Sequence, residues 1–281
     1  MYKVVTKRFL NDAKSICLFE IEAPLIARHA QAGQFVVFRL DEQGERVPVS
    51  VAGYDREKGT VSVMVQAAGK TTKMLHTVEE GDVISDIVGP LGKATEMEGL
   101  KKVCVVGGGV GNAIAYPIVK ALHEQGSDVT AILGFRSKDL VILEDEFRAA
   151  SNNFIICTDD GSYGEKALVT EPLKRLLEAG EQFDEVITIG PIIMMKFVTK
   201  TVEPFGIPCI VSMSPIMVDG TGMCGGCRLT VDGKTKFACV DGPDFDGHEI
   251  DFDQAMIRNT QYREQEKAAY DHACNLLKGG R

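Results

Sequence analysis

The chain has 281 residues, of which 44% are hydrophobic and 25% charged, and a formal net charge of −9. That length accommodates two domains and an appendix, and the negative balance argues against nucleic acid as a partner. No apolar run approaches the roughly 20 residues of a membrane span, and the N-terminus MYKVVTKRFLNDAK lacks the apolar core of a signal peptide. A cytoplasmic protein without a membrane span is therefore expected.

Residues 1–97 read as short strands divided by turns: KVVTKRFL, SICLFEIEA, QFVVFRL, VPVSVAGY, TVSVMVQA and DVISDIVG. Their internal alternation and regular turn signals predict an antiparallel barrel. Two of its stretches suit an anionic ligand: Arg46, Val47, Pro48, Val49 and Ser50, and then Gly69, Lys70, Thr71 and Thr72. Amides and hydroxyls of the second can hold a diphosphate, with Lys70 adding charge, although each stretch taken singly also reads as an exposed turn.

The pattern changes near residue 98. The strand KVCVV runs into Gly107, Gly108, Gly109, Val110 and Gly111, then into the apolar helix AIAYPIVKALHEQG and a second strand, VTAILGF. This βαβ opening repeats more loosely through NFIICTDD, a helix around LVTEPLKRLLEAG, the strand DEVITIG and a helix after Pro191, so 98–212 is predicted to be a parallel α/β domain. Glycines between a strand and a helix let the backbone approach a pyrophosphate, whose charge meets the helix N-terminus. Asn112 occupies the usual third-glycine position and no acidic residue closes the second strand, so the strict dinucleotide fingerprint is absent. Thr158, Asp159, Asp160 and Gly161 follow one strand and Gly190 with Pro191 another, gathering polar and glycine-rich turns at the carboxyl edge where open α/β sheets bind ligands.

Within 213–250, Asp219, Cys224, Cys227 and Cys239 are spaced D-x4-C-x2-C-x11-C. With cysteine in place of Asp219 this would be the plant-type ligand run for a [2Fe-2S] cluster. Gly220, Gly222, Gly225 and Gly226 suit a loop whose N–H groups approach cluster sulfurs. The competing readings are a structural zinc, which more often shows two CxxC or CxxC/HxxxH knuckles, and no metal at all. Asp219 alone also reads as a turn residue, and His248 is the nearest rival ligand in a polar stretch. The other five cysteines, Cys17, Cys104, Cys157, Cys209 and Cys274, are scattered, and several lie in apolar stretches that suit buried reduced thiols. The segment 251–281 reads as a charged helical tail with Phe252, Ala255 and Met256 on one side, folded on its own protein or docked on a larger subunit.

The barrel with RVPVS and GKTT, the GPLG link from Gly89 to Gly92, the GGGVG turn, TDDGSYG, GPIIMMK and the cluster loop together resemble the ferredoxin-reductase superfamily over almost the whole chain. Within it the chain is similar to electron-transfer subunits of type B dihydroorotate dehydrogenase and to the small subunit of NADH-dependent reduced ferredoxin:NADP oxidoreductase. The tail IDFDQAMIRNTQYREQE and Asp219 favour the second. The resemblance implies an antiparallel FAD-binding barrel, a parallel-sheet nucleotide-binding domain and a small C-terminal iron–sulfur module with a helical tail. FAD would lie beside Pro48, Val49 and Ser50 with its diphosphate at Gly69–Thr72. The superfamily places an arginine three residues before the serine, where this chain has Val47, so Arg46 is expected to take over the flavin-phosphate contact.

The same resemblance assigns the nicotinamide nucleotide to Gly107–Gly111, Thr158–Gly161, Gly190 and Pro191. Arg136 and Ser137 suit the 2′-phosphate of NADP(H), while similar GFRS stretches occur in relatives that use NAD(H). Nicotinamides exchange hydride, clusters accept single electrons and a flavin does either, so FAD is expected between the two, with Ser50 orienting its reactive edge. The implied partner is a larger flavoprotein subunit carrying a second FAD and [4Fe-4S] clusters. A nucleotide-binding module with zinc and no turnover is the alternative from a different class.

Overall fold

The structure, a computed structural model, describes residues 1–42 and 44–279, with side chains as far as residue 271. Seven strands come first: β1 (Tyr2–Phe9), β2 (Ile16–Glu22), β3 (Phe35–Arg39), β4 (Val47–Asp55), β5 (Thr60–Gln66), β6 (Val83–Ile84) and β7 (Asp86–Leu91). Two short helices, α1 (Pro24–His29) and α2 (Lys70–Leu75), lie in their connections. The strands are ordered β6-β1-β2-β5-β4-β3-β7, every pair antiparallel. The stretch DVISDIVG, expected as one strand, is interrupted only at Ser85. Its first half pairs with β1 and its second with β3, so one bending strand joins the two edges of the sheet and closes it. Inward-facing Phe19, Phe38, Leu75 and Ile84 fill the interior.

The second sheet is built from β8 (Lys102–Gly108), α3 (Gly111–Glu124), β9 (Asp128–Phe135), α4 (Glu144–Ala149), β10 (Asn153–Thr158), β11 (Glu165–Lys166), α5 (Thr170–Glu178), β12 (Glu185–Ile189), α6 (Ile192–Val202) and β13 (Cys209–Ser212). Its strands pair in parallel, in the order β11-β10-β9-β8-β12-β13. Val103, Cys104, Val105 and Val106 in β8 are all fully buried, the unbroken apolar run required of a strand covered on both faces. A hairpin of β14 (Arg228–Val231) and β15 (Lys234–Phe237) follows, and then β16 (Asp244–Asp246) adds an antiparallel edge to β13. The C-terminal segment thus completes the sheet of the α/β unit.

The parts share cores. Ala32, Ala52 and Met64 of the barrel pack with Ala113, Ile118 and their neighbours from α3. At the seam, Lys93 donates its backbone N–H to Gly242 O at 2.7 Å, and that of Thr95 goes to Ala32 O at 3.0 Å. The Thr95 hydroxyl donates to Asp244 Oδ2 at 2.6 Å.

The tail forms α7 (Phe252–Arg258) and α8 (Arg263–Gly279). Asp251 caps α7 by accepting the Gln254 N–H at 2.9 Å. Phe252 and Ala255 are buried, Met256 is half-buried, and Lys196 on α6 reaches Asp253 at 2.6 Å, so this helix folds on its own protein. Further on, Lys73 of α2 lies 4.7 Å from the Tyr270 ring centroid. Cys17, Cys104, Cys157 and Cys209 are buried and unbridged, whereas Cys274 lies outside the residues whose side chains are described. Among the described residues no helix is long and apolar enough to cross a membrane.

Burial first, and then the carboxylates of Asp244, Asp246 and Glu96, push the Glu185 carboxyl up from 4.5 to about 7. Its Oε1 and Asp244 Oδ1 are shielded from water without a hydrogen-bond partner among the described residues. Between these two values the folded chain binds more protons at Glu185 than the unfolded chain does, so this group's contribution to stability falls as pH rises across that window. Glu185→Gln is expected to flatten the decline of Tm between about pH 5 and pH 7.5. Thermal denaturation across that range checks it; an unaltered pH profile would rule out Glu185 as its source.

Candidate functional site

The loop Gly107–Gly111 joins β8 to α3 at the carboxyl edge of the parallel sheet. Gly109 takes a φ of +56°, and a Cβ on Gly111 would stand 2.4 Å from the Ile189 carbonyl oxygen, so only glycine lets α3 start this close to β12. Asn112, at the place of the usual third glycine, is fully buried. Its Nδ2 donates to Gly109 O at 3.0 Å and to Gly134 O at 3.3 Å, bracing the loop against β9.

In front of this loop opens a cleft of about 850 Å³. Gly108–Gly111, Asp159, Gly190 and Pro191 line it, as expected of ligand-facing turns at a carboxyl edge. Gly107, Thr158, Asp160 and Gly161 do not reach the lining. Thr158 Oγ1 instead donates to Tyr163 O at 2.6 Å, and Asp160 accepts from Ser162, whose hydroxyl and N–H hold its carboxyl below the usual range. That turn shapes the wall from behind. The far wall comes from Ile16 of β2 and Gln66 of β5, with Ser212 and Ser214 at the end of β13. Sequence reasoning missed these four because no motif marks them; only the packing of barrel on sheet brings them to the cleft.

In the barrel, Pro48, Val49 and Ser50 sit in β4 opposite Val37, Val36 and Phe35 of β3, half-buried. The side chains of the Gly69–Thr72 turn are largely employed within it. The Thr71 hydroxyl donates to the Glu45 carboxylate, and Thr72 Oγ1 accepts the N–H groups of Ala68 at 3.1 Å and Gly69 at 2.9 Å. Lys70, which opens α2, remains as the cation of the turn. Arg46 directs its Nε to Val218 O at 3.0 Å and its Nη2 to Asp219 O at 3.4 Å, reaching from the barrel to the cysteine loop.

That loop turns its N–H groups toward the four side chains read from the spacing. Asp219 accepts Thr221 N–H and Cys224 N–H, both at 2.8 Å, and these bonds, Thr221 foremost, hold its carboxyl below the ordinary range. Gly226 N–H points at Cys224 Sγ at 3.4 Å, Cys239 N–H at Cys227 Sγ at 3.5 Å, and Gly222 N–H at the Cys239 sulfur. Cys227 and Cys239 lie buried with their sulfurs 3.2 Å apart, while Cys224 is exposed beside Asp219.

Burial and then the neighbouring Cys227 push the Cys239 thiol above its usual range, so a bound cation is what would allow both sulfurs to ionise at this separation. Among the described residues no group of three or more His, Cys, Asp or Glu side chains is gathered around one point. Cys227 and Cys239 form a close sulfur pair, Asp219 accepts the backbone N–H of Cys224, and thiolates with aimed amides are the donor chemistry of an iron–sulfur centre. His248 is turned away, its ring nitrogen 3.1 Å from Ile207 O.

Comparison with known proteins agrees with this geometry. The iron–sulfur cluster binding domain of dihydroorotate dehydrogenase B matches residues 214–251. A Thermotoga maritima protein described as a dihydroorotate dehydrogenase B (NAD(+)) electron transfer subunit homolog is 50% identical, over 92% of this chain and 91% of its own length. A Clostridium beijerinckii protein known only by its position 3′ of adh is 49% identical over 96% and 93%. Among solved structures, a chain of NADH-dependent reduced ferredoxin-NADP oxidoreductase, studied for flavin-based electron bifurcation, superposes with a TM-score of 0.90 at 47% identity, covering 97% of each chain. Phthalate dioxygenase reductase, at 18% identity and a TM-score of 0.61, shares the fold. The chain belongs to the family of dihydroorotate dehydrogenase B electron-transfer subunits.

Proposed function

We propose that the protein is a flavin and iron–sulfur electron-transfer subunit that links a nicotinamide dinucleotide to a larger flavoprotein partner, as in NADH-dependent reduced ferredoxin-NADP oxidoreductase. The observation that carries this reading is the order of the barrel strands. β5 supplies Gln66 to the nucleotide cleft, β4 holds the flavin-side residues Pro48, Val49 and Ser50, and β3 with β7 supports the cysteine loop. A Cβ on Gly220 would lie 2.7 Å from Leu91 Cδ1 and 3.3 Å from Val37 Cγ2, so the loop rests directly on those two strands. Neighbouring strands are about 4.8 Å apart, which keeps three sites arranged in this order within a short electron path.

When bound, the nicotinamide, flavin and iron–sulfur groups supply hydride exchange, the change from two electrons to one, and single-electron transfer respectively. The chain's residues position them. Gly108–Gly111 let a pyrophosphate approach the N-terminus of α3, whose dipole favours the anion. Lys70 and the amides opening α2 serve the flavin diphosphate, and Ser50 orients the reactive edge of the flavin ring. Asp219 and Cys224 hold one iron and Cys227 and Cys239 the other. The exposed side of the loop, with Met223 at 89% and Val218 at 51% exposure, faces the partner. Four buried, unbridged thiols support a reducing, cytoplasmic setting.

The match with the 50% identical Thermotoga relative favours a second reading, in which the partner oxidises dihydroorotate. The overall superposition on the oxidoreductase chain and Asp219 at the first ligand position favour the first.

Anaerobically purified protein is expected to contain about two irons, two acid-labile sulfides and one FAD per chain; zinc without flavin would overturn the reading. Cys227→Ser is expected to leave bleaching of the flavin by NADH intact and to abolish reduction of a one-electron acceptor, and equal loss of both would overturn the proposed order. A carboxylate donates less electron density to iron than a thiolate, so Asp219→Cys is expected to lower the cluster's midpoint potential in an EPR-monitored titration. An unchanged potential would remove Asp219 from the ligand set.

A further inference from the structure

Three arginines from three parts of the chain converge on the outer side of the cysteine loop. Arg46, just before β4, donates to Val218 O and Asp219 O at 3.0 and 3.4 Å. Arg228, opening β14, donates from Nη1 to Gly225 O at 3.0 Å. Arg258, the last residue of α7, donates from Nε to Arg228 O at 3.1 Å and from Nη2 to Gly226 O at 3.3 Å. A recess of about 220 Å³ behind the loop is lined by Val218, Cys224, Gly226, Arg228, Arg258 and Tyr262. Among the described residues none of the three guanidinium groups stands in an ion pair.

We infer that Arg46, Arg228 and Arg258 form a guanidinium clamp that fixes the backbone next to Asp219 and Cys227 and, through its fixed positive charge, raises the reduction potential of the iron–sulfur centre. The inference rests on the proposal that this loop holds a [2Fe-2S] cluster.

The physical argument has two parts. The Gly226 N–H, aimed at Cys224 Sγ, belongs to the same peptide unit as the Gly225 carbonyl that Arg228 binds, and the carbonyls of Val218, Asp219 and Gly226, next to Asp219 and Cys227, are bound by Arg46 and Arg258. A guanidinium suits this task because its rigid fork serves two carbonyls at once, as Arg46 and Arg258 do here, and it is always charged. The Arg228 bond to Gly225 O aligns that peptide's dipole with its N–H end on Cys224 Sγ. Reduction adds one negative charge to the cluster, so fixed positive charge and aimed amide dipoles both favour the reduced form.

The clamp also gives the ends of the chain a role. Arg258 belongs to the tail helix and Arg46 precedes β4 of the barrel, so the loop is held by segments distant in sequence. These are positioning residues, since none is expected to touch iron.

The test is an EPR-monitored redox titration of the full chain carrying Arg46→Gln, Arg258→Gln or both, with iron, sulfide and flavin contents measured on the same samples. Each single variant is expected to lower the cluster midpoint by an amount equivalent to about tenfold in the one-electron equilibrium constant, about 59 mV. The double variant should fall further, and the flavin midpoint should hold constant throughout. Glutamine variants that retain the cluster with an unchanged midpoint would overturn the clamp. If the glutamine variants assemble no cluster, Arg46→Lys and Arg258→Lys decide: a smaller shift in the same direction supports the clamp, and an unchanged midpoint overturns it. A wild-type protein without iron and sulfide would instead defeat the electron-transfer reading itself.

Discussion

The segment from Val218 to Arg228 is a tight loop whose backbone is fixed through both its N–H groups and its carbonyls. Its amides face Asp219 and the sulfurs of Cys224 and Cys239, and its carbonyls face the guanidinium groups of Arg46, Arg228 and Arg258. Gly220 makes the arrangement possible, because its φ of +78° reverses the chain and any side chain there would strike Leu91. At Gly107–Gly111 a side chain again fixes the backbone, Asn112 binding the carbonyls of Gly109 in the loop and of Gly134 in β9. In both loops glycine allows the close approach, and a side chain from elsewhere fixes the orientation that glycine alone would leave free.

Much of this was legible in the sequence because the relevant signals are local. Alternation marked the barrel strands, and a strand, a glycine turn and an apolar helix marked the βαβ unit. The D-x4-C-x2-C-x11-C spacing marked the loop whose amides turn toward Asp219, Cys224, Cys227 and Cys239. What escaped notice depends on residues far apart in the chain. Nothing in DVISDIVG signals that pairing partners change at Ser85, since its alternation runs through the break. The GPDFDG stretch reads as a polar turn, yet Asp244–Asp246 forms an edge strand because β13 offers it an open ladder. Arg46 shows the limit most clearly: its place beside Pro48–Ser50 says nothing of its bonds to Val218 O and Asp219 O, which depend on where the loop at 218–219 docks.

The seam around Thr95 explains why the parts are held as one body. Thr95 bonds to Ala32 in the barrel and to Asp244 in β16, while the N–H of Lys93 reaches Gly242. A Cβ on Gly33 would lie 2.1 Å from Thr95 Oγ1, so barrel and linker meet with no room for a larger residue. The connection brings polar groups into the interior, and the raised Glu185 carboxyl beside Asp244 reflects incomplete compensation of their burial. A hinge at this point would have to break the Thr95–Asp244 bond and expose those carboxyls. The contacts therefore favour a fixed relation between barrel and sheet over domain closure.

A fixed relation matters because the two halves of the proposed reaction make different geometric demands. Hydride exchange requires contact between reacting atoms, about 3 to 3.5 Å, whereas a single electron can cross a strand or two. The sheet's carboxyl edge faces Ile16 and Gln66 across the cleft, where the proposed reaction would make that contact. The one-electron side needs only that the cysteine loop stay seated on Val37 and Leu91. β4 separates the two sides and belongs to both, pairing with β5 toward the cleft and with β3 toward the loop. A displacement of that strand would alter both distances together, so the closed barrel, bridged by the bend at Ser85, is what keeps two chemically different electron transfers in register.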